Sequence, residues 1–331
     1  MSALSRSRAF AIVVHAALSA CIIASNAYAA EAYPDKPIRL IVPLGPGSSG
    51  DIISRIIGNE LTKSLGQQIV VDTRPGAGGT IGTSQGARAN ADGYTLLLGT
   101  NGTMAINVGL YKDLKYDPVK DFQPVANLGA VVNILCVHPS DPAKSVSDLV
   151  AQAKAKPGML TYASGGAGTS HHLSGELLKS MTGIDIVHVP YRGAADAAAS
   201  VMSAQTTMTF LNVPVVRGAI EQGRLKGLGV TGLKRSEFVP DIPTLDEQGY
   251  KGYLVEAWFG IFVPAGTPQP IVTRLNSELM RILKAPAVLA SMQKAGFQQV
   301  DPTTPASFSK LLNMEIARWV PIVKAAGAQV N

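Results

Sequence analysis

Ile38-Arg39-Leu40-Ile41-Val42-Pro43-Leu44-Gly45-Pro46-Gly47-Ser48-Ser49-Gly50-Asp51 is the stretch on which the fold class turns. A short apolar run ends in a Gly-rich turn, and Ile52, Ile53, Ile56, Ile57 and Leu61 follow at the spacing of one buried helical face. Such a strand–turn–helix places free backbone N–H groups, small side chains and the positive end of a helix dipole at one point, which suits an anion. Gly45, Gly47 and Gly50 also spell G-x-G-x-x-G, with Asp72 closing the next predicted strand. That spelling makes a dinucleotide-binding oxidoreductase one reading, with Asp72 on the ribose.

The first thirty residues argue against it. Arg6 and Arg8 form a short basic start, Ala9 to Ile23 are almost wholly apolar or small, and Ala27-Tyr28-Ala29 offers an A-x-A cleavage site. The expectation is an exported, periplasmic protein whose signal peptide (1–29) is cleaved after Ala29; soluble nicotinamide cofactors belong to the cytoplasm. Leu18-Ser19-Ala20-Cys21 resembles a lipobox, so lipid anchoring at Cys21 is the alternative. No later run reaches the roughly 18 apolar residues of a membrane span.

Beyond the leader the only cysteine is Cys136, so no intrachain disulfide forms; within Asn133-Ile134-Leu135-Cys136-Val137 it reads as a small core residue of a strand. The formal charge of +6 falls to +4 once Arg6 and Arg8 leave with the signal. No basic run or aromatic–basic stripe accompanies it, which excludes a nucleic-acid partner and mildly suits a protein that handles anions.

Apolar strands are predicted at 38–43, 68–72, 94–98, 131–137, 159–163, 185–189, 206–211, 225–230 and 255–263. Helices are predicted near 50–64, 80–90, 145–156, 170–182, 193–203, 214–222, 268–284, 286–295 and 305–325. This alternation, with near-continuous apolar strands, means α/β sheets covered on both faces. The length calls for two domains. With helices but no further strands after residue 263, the C-terminal segment has to return to the first domain. That makes domain 1 discontinuous, at 30–130 plus 255–331, with domain 2 at 131–254. The apolar stripe Phe308, Leu311, Leu312, Ile316, Trp319, Ile322 and Val323 is expected to dock there.

A set of segments in fixed order spans most of the chain: Tyr33-Pro34-Asp35-Lys36-Pro37, Arg74-Pro75-Gly76-Ala77-Gly78-Gly79, Asp92-Gly93-Tyr94, Leu110-Tyr111, Tyr116-Asp117-Pro118, Tyr162-Ala163-Ser164-Gly165-Gly166-Ala167-Gly168-Thr169, His188-Val189-Pro190-Tyr191, Val239-Pro240-Asp241-Ile242-Pro243-Thr244 and Pro264-Ala265-Gly266-Thr267-Pro268. In these the chain resembles the substrate-binding proteins of tripartite tricarboxylate transporters, the Bug-type periplasmic receptors. The resemblance implies a two-domain α/β periplasmic binding protein of type II-like, flytrap form. It implies a cleft that closes on a small carboxylate, with no catalysis and no cofactor; the candidate residues named below, rich in donors and poor in acids, suit an aromatic or a di-/tricarboxylic acid. The implied partners are the transporter's membrane subunits, for a protein acting as a monomer; some members serve sensing instead, which leaves a ligand-sensing receptor as an alternative.

The chain departs from the family at three places. Ser48 stands where a second glycine is usual, Arg192 replaces a lysine, and Leu211 occupies the position of a common pocket acid. The last change disfavours an amino acid, whose ammonium would lose its partner.

Candidate ligand residues follow from the two Gly-rich loops. In the first, Gly47, Ser48, Ser49 and Asp51 are either ligand contacts or a tight turn with Asp51 as cap. In the second, Ser164, Gly165, Gly168, Thr169 and His171 repeat the strand–glycine–helix design. Thr100 and Asn101 at a strand end, Tyr191 and Arg192 at another, and Phe210 and Asn212 complete the set. Arg74 to Gly79 either line the cleft floor or simply turn the chain, and Trp258 is a candidate apolar wall. His171 and His172 are adjacent, so on a helix they point about 100° apart, which does not suit a shared metal. No G-x-S-x-G, H-E-x-x-H or G-K-[ST] pattern supports an enzyme.

Overall fold

A computed structural model describes residues 33–299 and 301–325; the leader and the Cys21 lipobox lie outside them. The first lobe is built on β1 (Ile38–Val42), flanked in parallel by β2 (Ile69–Thr73) and β3 (Thr95–Thr100). Helices α1 (Ser49–Leu65) and α2 (Thr80–Ala87) supply the crossovers. A π-type turn, Gly102–Ile106, runs on into the short α3 (Asn107–Leu110), a fully helical detour that the sequence pattern does not announce. β4 (Phe122–Val137) follows.

The second lobe strings α4 (Val146–Ala155), β5 (Leu160–Ser164), α5 (Ser170–Thr182), β6 (Ile186–Pro190), α6 (Ala194–Met202), β7 (Met208–Asn212), α7 (Val213–Glu221) and β8 (Lys226–Val230). The chain then returns through β9 (Glu256–Pro264) to α8 (Gln269–Leu283), α9 (Pro286–Lys294) and α10 (Pro305–Ala325).

β4 joins the two sheets. Its first part, Phe122 to Val132, pairs antiparallel with β9, which in turn pairs with β3. From Asn133 to Val137 it pairs instead with β7 and β8. The strand starts nine residues before the predicted 131 because its pattern is interrupted there. Register shifts fall between Pro124 and Ala126 and between Asn127 and Gly129, the bulges that proline and glycine enforce in a ladder.

The core of the first lobe joins Leu40, Val42 and Leu98 to Ile53, Ile57 and Leu61 of α1, with Phe259 and Leu275 behind. The second lobe has a core on each face of its sheet. Tyr162 and Phe210 pack on one side, Ala163 and Leu211 on the other, as alternate strand positions must. The stripe of α10 meets both lobes. Phe308 and Leu312 pack with Ile41, Leu97 and Phe262, but Trp319 and Val323 join Tyr162, Leu173 and Phe210. The same C-terminal half also meets Ala105, Ile106 and Leu110 of the first lobe, and Val320 and Val323 close on Gly109, so the helix lies on the first lobe along its length and touches the second as well.

Candidate functional site

Four helices begin at one place. Ser48 caps α1, its Oγ accepting the Asp51 N–H at 3.2 Å, and Asp51 Oδ2 accepts the Gly47 N–H at 3.0 Å. Thr169 caps α5 in the same manner, with His172 N donating at 3.4 Å. Gly193 and Asn212 stand at the N-caps of α6 and α7 without spending a side chain on the cap. Each start leaves backbone N–H groups unpaired and a positive dipole end. Ser48, Thr169, Gly193 and Asn212 all line one cavity of about 430 Å³ between the lobes.

Of the expected ligand residues, Ser48, Ser49, Gly165, Thr169, His171, Tyr191, Arg192 and Asn212 line this cavity. The others are placed elsewhere. Gly47 is exposed on the outer side of its turn. Asp51 serves that turn and pairs with Arg55 at 2.9 Å. Thr100 is engaged with Thr103, their hydroxyls each accepting the other's N–H. Asn101 donates to the Glu256 carbonyl at 2.8 Å. Ser164 Oγ lies beneath the glycine loop, 2.6 Å from His188 Nε2. Gly168 N–H donates to His172 Nδ1 at 3.2 Å. Phe210 is a core residue, Trp258 packs on Phe262 and Phe308, and Leu211 is buried on the far face of the sheet with Ile134, Ala163 and Ala197. The expectation that Leu211 shapes ligand choice from the wall does not hold, because β7 turns that side chain away from the cavity.

Pro75 to Gly79 do line the cavity, as do Pro43, Leu44, Tyr111, Ala167, Pro190 and Ala194. Tyr111 and Ala167 carry no chemical signal in the sequence beyond their place in matching segments. Among the described residues the wall has no acidic side chain, and Arg192 is its one charged group. Prolines, alanines and tyrosines make up much of the rest, around a girdle of N–H and O–H donors.

The lobes meet over the cavity through glycines. The backbone at Gly78 abuts the Ala167 carbonyl, and a Cβ at Gly102 would lie 2.8 Å from the Gly168 carbonyl oxygen. Ser49 Oγ donates across the cleft to Asn212 Oδ1 at 3.1 Å. This is a closed arrangement.

His171, His172 and His188 are held neutral. His171 Nδ1 accepts the Gly165 N–H at 3.3 Å and Nε2 donates to Asn212 Oδ1 at 3.1 Å; burial pushes its pKa down to about 4. His172 faces away from it, stacked on His188 with ring centroids 4.1 Å apart, and burial pushes His172 down to about 4 and His188 to about 3. Asp72, the ribose candidate of the dinucleotide reading, is instead bound by Arg39 and Arg74 at 2.5 and 2.9 Å on β2. Those arginines hold its carboxyl below the usual range against the opposing effect of burial.

The family model for the tripartite tricarboxylate transporter family receptor matches residues 53–328. The chain belongs to this receptor family. The receptor is 35% identical over 303 residues to protein BugT of Bordetella pertussis, covering 91% of this chain and 93% of BugT. Among solved structures it is similar to Rpa4515 of R. palustris with adipate, at 35% identity and a TM-score of 0.87 over 90% of this chain and 100% of that one. It is also similar to MatC of Rhodopseudomonas palustris with bound malate, at 32% identity and a TM-score of 0.84 over 88% of this chain and 100% of that one.

Proposed function

We propose that the receptor closes its two domains on a small organic carboxylate and delivers it to the membrane subunits of a tripartite transporter. The observation that carries this reading is the convergence of four helix N-termini, from both lobes, on a cavity whose wall has no acidic side chain among the described residues. Relatives whose structures contain adipate and malate support the same class of ligand. The apolar stretches of wall suit an acid with an apolar body, aromatic or aliphatic, gripped at its carboxylate ends.

Ser48, Ser49, Gly165, Thr169, His171, Tyr191, Arg192 and Asn212 are the ligand contacts in this reading. The first domain comprises residues 30–130 and 255–331 and the second 131–254. In support, β4 changes sheets between Val132 and Asn133, and β9 begins at Glu256. The mature protein begins after Ala29, acts in the periplasm as a monomer, and performs no catalysis.

A calorimetric screen of di-, tri- and aromatic carboxylates, with NAD as a control, tests the reading. Binding of at least one acid and none of NAD is expected. Binding of NAD without any acid would overturn it.

A further inference from the structure

The amide of Asn212 is held on three sides. Its Oδ1 accepts from Ser49 Oγ and from His171 Nε2, each at 3.1 Å, and its Nδ2 donates to Asn133 Oδ1 at 2.5 Å. Backbone groups at both ends of this chain set its direction. At one end the Gly165 N–H donates to His171 Nδ1, so the proton of the neutral ring sits on Nε2 and requires an acceptor. At the other, Ser174 Oγ donates to the Ser170 carbonyl at 2.9 Å and so accepts from Asn133 Nδ2, also at 2.9 Å. That turns Asn133 Oδ1 towards Asn212. Both ends require the same outcome, with Asn212 Oδ1 facing the cavity and Ser49.

The consequence falls on two adjacent serines of opposite polarity. Ser48 Oγ accepts the Asp51 N–H and keeps its own proton for the cavity. Ser49 commits its proton across the cleft to Asn212 and presents lone pairs. A carboxylate oxygen placed on Ser49 would have to take that proton, which removes the cross-cleft bond and leaves two oxygens facing each other. A ligand hydroxyl donates to Ser49 Oγ and leaves the bond standing.

We propose that the Ser49–Asn212 pair selects organic acids bearing a hydroxyl over their deoxy counterparts, with Asn133 as the positioning residue that keeps Asn212 Oδ1 turned to the cleft. The proposal rests on the carboxylate-receptor reading and specifies the ligand within it.

Three matched pairs test it by calorimetry: malate with succinate, citrate with tricarballylate, and mandelate with phenylacetate. In each pair that binds, the hydroxylated acid is expected to bind about tenfold tighter to the natural protein. Ser49→Ala, a change on the first turn of α1 that leaves the Ser48 cap in place, is expected to bring each pair to within about twofold. Asn133→Ala is expected to shrink the same ratio, a readout that a merely structural role would not move; should that variant fail to fold, the natural protein and S49A still decide. Equal affinity within the pairs, or a ratio unchanged in S49A, overturns the proposal and leaves the receptor reading intact. Failure of these six and of every other acid in the screen removes both.

Discussion

Replacing Gly102 by alanine separates closure from folding. Gly102 lies in the π-type turn after β3, and its Cβ would stand 2.8 Å from the Gly168 carbonyl oxygen, 3.3 Å from Thr100 Oγ1 and 3.6 Å from Thr169 Cα. The tightest of these contacts is with backbone of the opposite lobe, which cannot rotate away. Ordinary contact at about 3.4 Å returns only if the lobes part by roughly 0.6 Å. Overpacking of this kind costs about 1–3 kcal/mol, and here the cost falls on the closed state alone. A ligand that needs closure should therefore bind roughly 5- to 150-fold more weakly. Alanine for glycine in a helical turn favours the local fold by about 0.5–1 kcal/mol, so the melting temperature without ligand should hold or rise. Gly45→Ala is the control, since its Cβ would meet Arg192 O and Gly193 Cα at 3.7 and 3.8 Å, an ordinary contact. Calorimetry on both variants, with the tightest acid from the screen, supplies the comparison. Unaltered affinity in G102A would refute the claim that these loops must touch for binding.

Three further outcomes are expected. His171 has its pKa depressed to about 4 from 6.5 by burial, so the unfolded chain takes up its proton first as pH falls. Its contribution is present above pH 6.5 and is lost between 6.5 and 4, to about 3 kcal/mol, and His172 and His188 act in the same direction. Urea unfolding at pH 7 and pH 4.5 measures that loss, and a flat profile would contradict the buried neutral rings. Leu211→Asp should unfold the second lobe rather than create an amino-acid site, because it buries a lone carboxylate among Ile134, Ala163 and Ala197; a folded variant that binds aspartate would show the side chain reaching the cavity. Asp72→Asn should cost under about 1 kcal/mol in chemical denaturation and leave acid binding unchanged, since the Arg39 and Arg74 pairs lie at the outer edge of the sheet and partly in solvent. A loss of ligand affinity in that variant would place Asp72 in the site.

The strand–helix alternation was legible because apolar runs mark the strands and one apolar face marks helices such as α1; the cap was misplaced by three residues, since Asp51 was the expected cap and Ser48 holds that position, accepting the Asp51 N–H. What interrupts a period was not legible. The early half of β4 is hidden by Pro124 and Gly129, and the Gly102–Leu110 detour is a π-type turn without an amphipathic stripe. In the candidate site, the loops that face the cavity were visible as glycine runs ahead of helices. Which of their side chains face it was not, because that depends on partners distant in sequence. Ser164 is claimed by His188, Asn101 by the Glu256 carbonyl, and Asp51 by its own turn and Arg55. Leu211 and Asn212 show the limit most plainly. They are neighbours in one strand, and the pleat sends one into the core and the other to the cavity.

The central claim is that one carboxylic acid is held by helix N-termini from both lobes at once. A crystal structure of the complex with the tightest acid from the screen tests this most directly. The account predicts ligand oxygens within hydrogen-bond reach of Ser48 or Ser49 on the first lobe and of Thr169, Ala194 or Asn212 on the second, with Gly102 against Gly168. A ligand seated on one lobe alone, with the glycine loops apart, would contradict it.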